Sequence, residues 1–463
     1  MLEEPEVLAP DPDPDDAYAL DIKSVQQVRQ AVEEGDREQL IALMEPLHPA
    51  DIADLLEQIE PGDRRRFVAL YGREFDGDIL SELDETIREE MIGLLSPQVL
   101  AEAVRDLDSD DVVDLLEDLD PEQRDAILGA LGASDRAAVQ QSLTYPEYSA
   151  GRLMQREVVM APEHWTVGEA IDYLRASDDL PEQFYHIFLV DPKLRPVGKV
   201  ALGKLMGSSR AVALRTIASD DFRIIPVLQD EGDVAYAFNQ YHLISAPVVD
   251  ETERLVGVIT IDDAMAVLEE ENEEDILRLA GVSEEASLSD TVLETLRGRA
   301  TWLFVNLLTA IFASFVISLF SDTIDSMVAL AVLMPIVASM GGNAGTQTMT
   351  VAVRSIATRD LTGSNALRIV RREIVVGALN GALFGFIMAL VAGVWFGVPM
   401  LAVVIGSAML LTQIAAAFGG IAIPLILERL KIDPALASGP FVTTVTDVVG
   451  FFAFLGLAAA VLL

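Results

Sequence analysis

The chain has 463 residues, no cysteine and a formal net charge of −42 at pH 7. The lack of cysteine excludes disulfides and thiolate metal sites, and the acidic surplus excludes nucleic acid as a partner because its phosphates would be repelled. Residues 297–463 contain nine basic and seven acidic side chains, whereas the other 296 residues contain 23 basic and 67 acidic ones. An acidic part, in which bound cations would balance the charge, is therefore joined to a nearly neutral part. Acidity that serves only solubility is the alternative.

The acidic part begins with a tail and continues as helices. Residues 1–17 are rich in proline and acids, have almost nothing to bury, and are expected to be disordered. Because no secretory signal opens the sequence, we expect this part to stay in the cytosol. Residues 18–143 form the predicted N domain, in which LHPADIADLLEQIEPGDR (47–64) is echoed by LDSDDVVDLLEDLDPEQR (107–124). Such a repeat predicts an α-helical, superhelical domain of short helices.

Three acids stand at the start of the second copy. Asp110, Asp111 and Asp114 lie within one predicted helical turn. Their spacing suits oxygen ligation of a hard cation, and it suits equally the positive end of a helix dipole. On sequence alone the helix-start explanation is favoured.

From residue 144 to 269 strands and helices alternate. FYHIFLVDPKLRPVGKVALGKLM (184–206) and LISAPVVDETERLVGVITIDDAM (243–265) share an apolar strand, an acidic turn, a Val-Gly pair, a second strand and a helix. This α/β pair resembles a tandem CBS-domain module, a fold that often binds adenine nucleotides or ions in its clefts. A purely structural pair that forms dimers is the alternative, because fold alone does not give function.

A connecting helix is predicted over residues 270–298. Its start, LEEENEEDILRLAGV (268–282), is strongly acidic. Like charges three and four residues apart repel on a helix, so such a run is usually a solvated face. Here it lies between the CBS pair and the membrane, and we expect one continuous helix to join them.

Residues 299–463 are predicted to form a transmembrane domain with five helices. The apolar stretches long enough to cross a bilayer are about 301–320, 327–353, 374–396, 400–427 and 435–462. All nine basic residues of this half fall on one side of the membrane. By the positive-inside rule the N-terminus is cytosolic and the C-terminus lies outside.

The second and fifth spans carry polar groups. Gly341, Gly342 and Gly345 allow close backbone approach in the second span, and Asn343 is expensive in lipid unless it bonds a partner, water or an ion. A phosphate loop is excluded because no Gly-Lys-Ser/Thr follows, whereas simple helix packing stays open. In the fifth span, Asp447 is a lone carboxylate at bilayer depth, where such a group normally faces a water-filled path or a bound cation.

Three motifs in this half resemble a known family. PIVASMGGNAGTQT (335–348), ATRDL (357–361) and DPALASGPFVTTVTDVVGF (433–451) are similar to segments of bacterial MgtE-type magnesium channels, and the order of domains also fits. The resemblance implies a multi-pass homodimer in the bacterial cytoplasmic (inner) membrane that conducts Mg²⁺, with Co²⁺, Ni²⁺ and Mn²⁺ as further candidate ions.

The resemblance also implies roles for individual residues. Asp447 would bind Mg²⁺ in a pore on the dimer axis, with help from Asn343, since Mg²⁺ sheds water reluctantly and prefers oxygen ligands. The pore-lining candidates are Gly341, Gly342, Gly345 and Thr444. The candidate regulatory acids are Asp433 at the cytosolic pore mouth, Glu271, Glu274 and Asp275 on the connecting helix, Asp263, and Asp110 and Asp114 of the N domain. Rising cytosolic Mg²⁺ would bridge these acids and close the pore.

Two other functions compete with a channel. Asp447 could relay ions in an ion-coupled carrier, or the CBS pair could act as a membrane-anchored nucleotide sensor. No catalytic set is found among the four histidines, so an enzyme is not predicted. ATP is an open question, because Tyr241-His242-Leu243 stands where a nucleotide-binding member would have an acid followed by an aromatic residue.

Overall fold

The computed structural model describes residues 22–462 except positions 106, 118, 120, 178, 179, 182 and 284–291. The chain separates into two compact units, Met1–Glu270 and Glu271–Leu463. The predicted tail, residues 1–17, lies outside the described residues.

Short helices build the beginning of the first unit, as the repeat predicts. Leucines and other apolar residues at helical spacing form one buried core that runs through them. Prolines stand at the first position of several helices, where their missing N–H costs nothing. The helices are α1 (Ile22–Glu34), α2 (Arg37–Met44), α3 (Pro49–Gln58), α4 (Pro61–Tyr71), α5 (Asp78–Ser81), α6 (Glu85–Leu94), α7 (Pro97–Ala103), α8 (Ser109–Glu117), α9 (Pro121–Ala130) and α10 (Ala133–Ser142).

The sequence repeat preserves an arginine that caps the preceding helix. The Arg64 guanidinium donates to the carbonyl of Leu56 at 3.1 Å, and 60 residues later Arg124 donates to the carbonyl of Leu116 at 3.1 Å. Arg136 makes a third bond of this kind, again to a carbonyl eight residues before it. The last carbonyls of a helix have no partner within the helix, so each arginine satisfies an orphan acceptor at a helix corner.

Two copies of one α/β unit complete the first part of the chain, and the predicted CBS pair is confirmed. Each copy has a three-stranded sheet in which the first two strands are parallel and the last two antiparallel, with a register shift at the same place. The strands are β1 (Met160–Pro162), β2 (His186–Val190), β3 (Pro196–Ala201), β4 (Ile225–Pro226), β5 (Ser245–Val249) and β6 (Leu255–Thr260). The helices are α11 (Ala150–Leu153), α12 (Val167–Ala176), α13 (Leu202–Met206), α14 (Leu214–Ile217) and α15 (Glu231–Tyr241).

The connecting helix is shorter than predicted. Helix α16 (Ile261–Ala280) ends where Gly281 adopts a φ of +72°, a left-handed conformation that glycine enters without steric cost. The next helix that the structure describes, α17, is Val292–Ser318, and residues 284–291 lie outside the described residues. The expectation of one continuous helix over residues 270–298 is therefore wrong, because a glycine with positive φ terminates α16. The sequence Leu-Ala-Gly-Val already contained this stop signal.

Five helices of the second unit are long and apolar enough to cross a membrane, which confirms the predicted number. They are α17 (Val292–Ser318), α19 (Ala329–Ala357), α20 (Ala366–Phe396), α21 (Pro399–Arg429) and α22 (Pro434–Leu462), with the short α18 (Ser321–Ser326) after the first. Helix α21 is the most buried of the five and packs against α19, α20 and α22. Helix α21 is therefore the central helix against which the polar helices α19 and α22 pack.

Three glycines at a spacing of four bring α20 close to α21. A Cβ added at Gly385 would come within 2.6 Å of the Gly406 carbonyl oxygen, and one at Gly381 within 2.8 Å of the Leu410 Cα atom. At Gly377 it would meet the Ala417 side chain at 2.6 Å. Small residues at this spacing let two membrane helices touch along their backbones, which is the main source of packing energy where no hydrophobic effect operates.

Loss of the buried arginine cap is expected to open one helix corner. Arg64 is 7% exposed and also pairs with the half-buried Glu90 at 2.7 Å, so Arg64→Gln leaves one acid and the carbonyls of Leu56 and Ile59 without their donor. We expect a local loss of about 3 kcal/mol. Hydrogen exchange measured by mass spectrometry on the full chain should be faster over residues 49–71. The neighbouring exposed Arg65, changed to Gln, is the control and should exchange like the unmodified chain; equal rates in both variants would contradict the account.

Candidate functional site

Helix α19 carries a row of exposed polar side chains within a membrane-length helix. Asn343, Thr346, Gln347 and Thr350 are exposed, and their spacing places them on one face. Polar side chains facing lipid lose hydrogen bonds with water and gain none, so such a row needs a partner surface or water. The expectation that Asn343 is available to an ion is consistent with its exposure.

The glycines of α19 divide into packed and open positions. A Cβ at Gly341 would lie 2.6 Å from the Thr412 Cγ2 atom, and one at Gly345 would lie 2.8 Å from the Val442 Cγ1 atom, whereas one at Gly342 would meet nothing within 4 Å. Gly341 and Gly345 are thus buried contacts with α21 and α22. Among the three glycines, only Gly342 has an open side; the expectation that Gly341 and Gly345 line the pore stays a prediction.

Helix α22 presents its own polar row beside these contacts. Asp447 is half-buried and shares one helical face with the exposed Thr443 and the half-buried Thr444. The Thr444 hydroxyl donates to the Pro440 carbonyl at 2.6 Å. Thr446, one residue from Asp447, is fully buried and points to α19, where it faces Gly341 and Gly345. The close contact of α19 with α22 therefore fixes the carboxylate of Asp447 relative to the polar face of α19.

Two buried polar residues of α21 support this arrangement, and sequence reasoning missed both. Gln413 is 2% exposed and donates to the Met340 carbonyl at 3.2 Å, immediately before Gly341. Thr412 is fully buried, and its Cγ2 atom lies against both Gly341 and Gly450. A polar pair in the middle of a span is a recognisable signal, because such residues need partners inside the protein.

The end of α16 contributes a second group of acids. The Arg278 guanidinium bonds Glu274 at 2.8 Å and Asp433 at 3.1 Å. Burial raises the pKa of Asp275, the Asp433 charge raises it further, and Arg278 lowers it. Glu274, Asp275 and Asp433 are thus brought together as predicted, around an arginine that was not. Glu271 is exposed on the same helix.

A third group of acids lies within the first unit, where α8 meets the start of α16. Asp110 and Asp111 occupy the first turn of α8, and Asp263 occupies the first turn of α16. The Thr260 hydroxyl and backbone N–H both donate to Asp263, at 2.7 and 3.3 Å, as a helix cap does. The helix-start explanation therefore applies to Asp110 and Asp111, and these acids also lie near Asp263 at the start of a second helix; ligation of a cation stays a prediction.

The charges in this group oppose one another. Burial raises the pKa of Asp111 to about 7, with Asp263 and Asp108 as the next causes. Burial also raises the pKa values of Asp110 and Asp263, and for Asp110 the charge of Asp263 is the next cause. Carboxyl groups whose pKa is raised by burial and by neighbouring acids are short of counter-charge.

Hydrogen bonds and one ion pair join α8 to the segment around α11. The Ser109 hydroxyl donates to Glu157 at 2.8 Å and accepts from the Arg156 N–H at 2.7 Å, and Arg152 pairs with Glu117. These contacts join α8 to the segment around α11, and sequence reasoning missed them because nothing local predicts such pairings.

Asp114 is placed differently from the other predicted acids of α8. Its carboxylate pairs with Arg88 at 2.5 Å and is largely exposed. Its charge still raises the pKa of Asp111. The structure therefore gives Asp114 a cation within the chain, and the expectation that it is a metal ligand finds no support.

Among the described residues, no three His, Cys, Asp or Glu side chains are grouped closely enough to hold a metal ion directly. Mg²⁺ retains water readily and is often bound through one or two carboxylates plus waters. The paired acids at Asp110 and Asp263 and at Asp275 and Asp433 fit that chemistry.

Comparison with known proteins matches three segments of the chain. The divalent cation transporter family MgtE matches residues 334–457, the MgtE intracellular N domain matches 47–148, and the CBS domain matches 214–270. The magnesium transporter MgtE of Thermus thermophilus is 32% identical over 453 residues, which cover 96% of this chain and 99% of that protein. The chain belongs to the MgtE family of magnesium transporters.

Two further proteins are similar to this chain. The magnesium transporter MgtE of Bacillus subtilis is 28% identical over 90% of this chain and 93% of its own length. A crystal structure described as the cytosolic domain of the Mg²⁺ channel MgtE in complex with ATP is 30% identical, with a TM-score of 0.49, and covers 52% of this chain and 99% of that chain. The chain is accordingly a multi-pass membrane protein that transports Mg²⁺, and the family is one of transporters and not of enzymes.

Adding a side chain at a packed glycine of α19 is expected to push α19 away from α22. Gly345→Ala puts a methyl group 2.8 Å from Val442 and 3.1 Å from Thr446, which costs about 1–3 kcal/mol. Thermal unfolding in detergent, followed by size-exclusion chromatography, should show a lower midpoint. Gly342→Ala is the matched control, because its added methyl group meets nothing within 4 Å; an equal loss in both variants would disprove the packing argument.

The acids of α8 are expected to make the first unit sensitive to pH. A carboxyl whose pKa rises on packing favours the packed arrangement at low pH, and this stability is lost as pH rises from about 4 towards the packed-state value. For Asp111 that value is about 7. Without Mg²⁺, hydrogen exchange over residues 109–117, corrected for intrinsic rates, should therefore be slower at pH 6 than at pH 8.

Mg²⁺ at pH 8 should restore the protection seen at pH 6, because it supplies the missing positive charge. Asp111→Asn should remove much of the pH dependence, whereas Asn in place of the exposed Asp135 should keep it. An unchanged pH dependence in Asp111→Asn would refute this assignment.

Proposed function

We propose that the chain forms a homodimeric, Mg²⁺-selective channel that admits Mg²⁺ into the cytosol and closes as cytosolic Mg²⁺ rises. The N-terminus is cytosolic, the C-terminus lies outside, and the membrane is the bacterial cytoplasmic membrane. The observation that carries the proposal is the pair of polar rows on α19 and α22, which lie on helices long enough to span a bilayer.

The dimer follows from these polar rows. One copy leaves Asn343, Gln347 and Thr443 exposed, and lipid offers no hydrogen bonds to them. A second copy related by twofold symmetry would cover both rows with their own equivalents. Water and a cation could then occupy the space between the two faces.

Two Asp447 carboxylates on such an axis would form the ion site. Each is half-buried, and one copy provides a single carboxylate at this level of the helix. Two carboxylates balance the charge of one divalent cation, and they can hold it through its own waters. Asn343 and Thr444 supply oxygens for the outer hydration shell. Selectivity then rests on the size of the hydrated ion that the site accepts.

Closure follows from the other two groups of acids. Asp110, Asp111 and Asp263 repel one another in the packed arrangement, as do Asp275 and Asp433. Mg²⁺ binds the packed arrangement better than an opened one because only the packed arrangement presents paired acids. Rising cytosolic Mg²⁺ therefore shifts the population towards the packed state, which closes the pore at Asp433.

The proposal is tested by flux into proteoliposomes that contain the purified chain, with internal Mg²⁺ stepped from micromolar to millimolar concentrations. We expect flux to fall as internal Mg²⁺ rises and to be independent of a proton gradient. Asp447→Ala should abolish the preference for Mg²⁺ over Mn²⁺, Co²⁺ and Ni²⁺.

Glu428→Gln is the matched control, because it removes an exposed acid from the end of α21 without touching either polar row. It should conduct like the unmodified chain. Mg²⁺ flux that follows a proton gradient, or a preference for Mg²⁺ that is unchanged in Asp447→Ala, would contradict the channel proposal and favour a coupled carrier.

A further inference from the structure

The end of α16 is attached to the start of α22 through one arginine. Arg278 bonds Glu274 on its own helix and Asp433 directly before α22, and the three side chains are only 19%, 24% and 33% exposed. Ion pairs that are partly shielded from water are stronger than pairs on an open surface. Arg278 therefore links the two helices at the proposed pore mouth.

The residue beside Arg278 makes an apolar contact with the same region. Leu279 packs on a cluster formed by Met349 and Val353 of α19 and by Ala435 and Val442 of α22. Both polar helices of the pore are thus reached by the last turn of α16. We call this arrangement the docked state of α16.

A cation is needed to hold the docked state together. Docking places Asp275 and Asp433 near each other, with Glu274 beside them, and the charge of Asp433 acts on Asp275. These are also the acids through which Mg²⁺ is proposed to close the pore. Without Mg²⁺, the positive charge among them comes from the chain itself.

We propose that the Arg278 guanidinium occupies the cation site at the start of α22 when Mg²⁺ is scarce, and that Mg²⁺ takes over its role when cytosolic Mg²⁺ rises. This inference rests on the proposed closure by Mg²⁺. Arg278 keeps α16 docked for part of the time without Mg²⁺, so the divalent ion completes closure instead of starting it from a fully separated helix.

The competing explanation is ordinary pairing at helix ends. Arg278 lies in the last turn of α16, where a positive charge complements the helix dipole, and Asp433 accepts from the Ala435 N–H at 2.8 Å as an N-cap. A purely structural bond of this kind would be needed equally with and without Mg²⁺. The two explanations differ in whether Mg²⁺ can replace the function of Arg278: a purely structural bond cannot be replaced in this way.

The test measures docking by the reactivity of one cysteine. The chain has no native cysteine, and Ala435, which is 2% exposed, lies in the cluster that Leu279 contacts. Ala435→Cys is introduced into the full chain in proteoliposomes, and its modification by a hydrophilic maleimide is timed with a chelator and with saturating Mg²⁺. Slow modification reports the docked state.

In the presence of chelator, Arg278→Gln should speed modification about fivefold, which is the size expected for the loss of one partly exposed ion pair. Saturating Mg²⁺ should return the modification rate of this variant to that of the Ala435→Cys protein that keeps Arg278. Arg278→Lys, which keeps the charge, should retain most of the protection. Arg429→Gln, which removes an exposed positive charge from the end of α21, should change neither rate.

Two results would overturn the inference while the proposed function stands. One is an unchanged rate in Arg278→Gln with chelator, and the other is a raised rate that Mg²⁺ does not restore, since that marks a purely structural bond. If Mg²⁺ changes neither the rate of cysteine modification nor the Mg²⁺ flux in the protein that keeps Arg278, the proposed closure by Mg²⁺ is wrong. This inference is then wrong with it.

Discussion

Repulsion between carboxylates that folding brings together is the interaction on which this transporter depends. At α8 and α16 the packed arrangement raises the pKa values of three aspartates, and at the end of α16 it sets Asp275 against Asp433. Each group lies where two segments meet, so a cation bound there would relieve the repulsion between those segments. In a chain of net charge −42, Mg²⁺ is the cation that we propose for this role.

The membrane imposes the second constraint. Lipid cannot hydrogen-bond the polar rows of α19 and α22. The helices that carry these rows pack on α21 through close contacts at Gly341 and Gly345 and through one hydrogen bond from Gln413. Helix packing alone does not explain why the polar Asn343 is exposed beside these contacts. The same scaffold therefore holds the polar face of α19 in place, and that exposed face is the basis of the proposed dimer.

The sequence predicted the parts of this protein that local patterns determine. Internal repeats and hydropathy were enough for the helical N domain, the CBS pair and five spans, which the structure confirms. It failed where distant residues meet: nothing local shows that Arg88 neutralises Asp114 or that Arg278 reaches Asp433, since these pairs depend on tertiary packing. The continuous connecting helix was a different error, because Gly281 was visible and its effect on a helix end was underestimated.

The central claim is that two copies of Asp447 share one divalent cation on a twofold axis. Crystals of the full chain grown with Mn²⁺, which diffracts anomalously and carries the same charge, would locate that ion directly. The account predicts one anomalous peak on the twofold axis between the two Asp447 side chains, and its loss in Asp447→Ala. A peak bound within a single copy away from α22, or a dimer whose α19 and α22 faces do not meet, would contradict it.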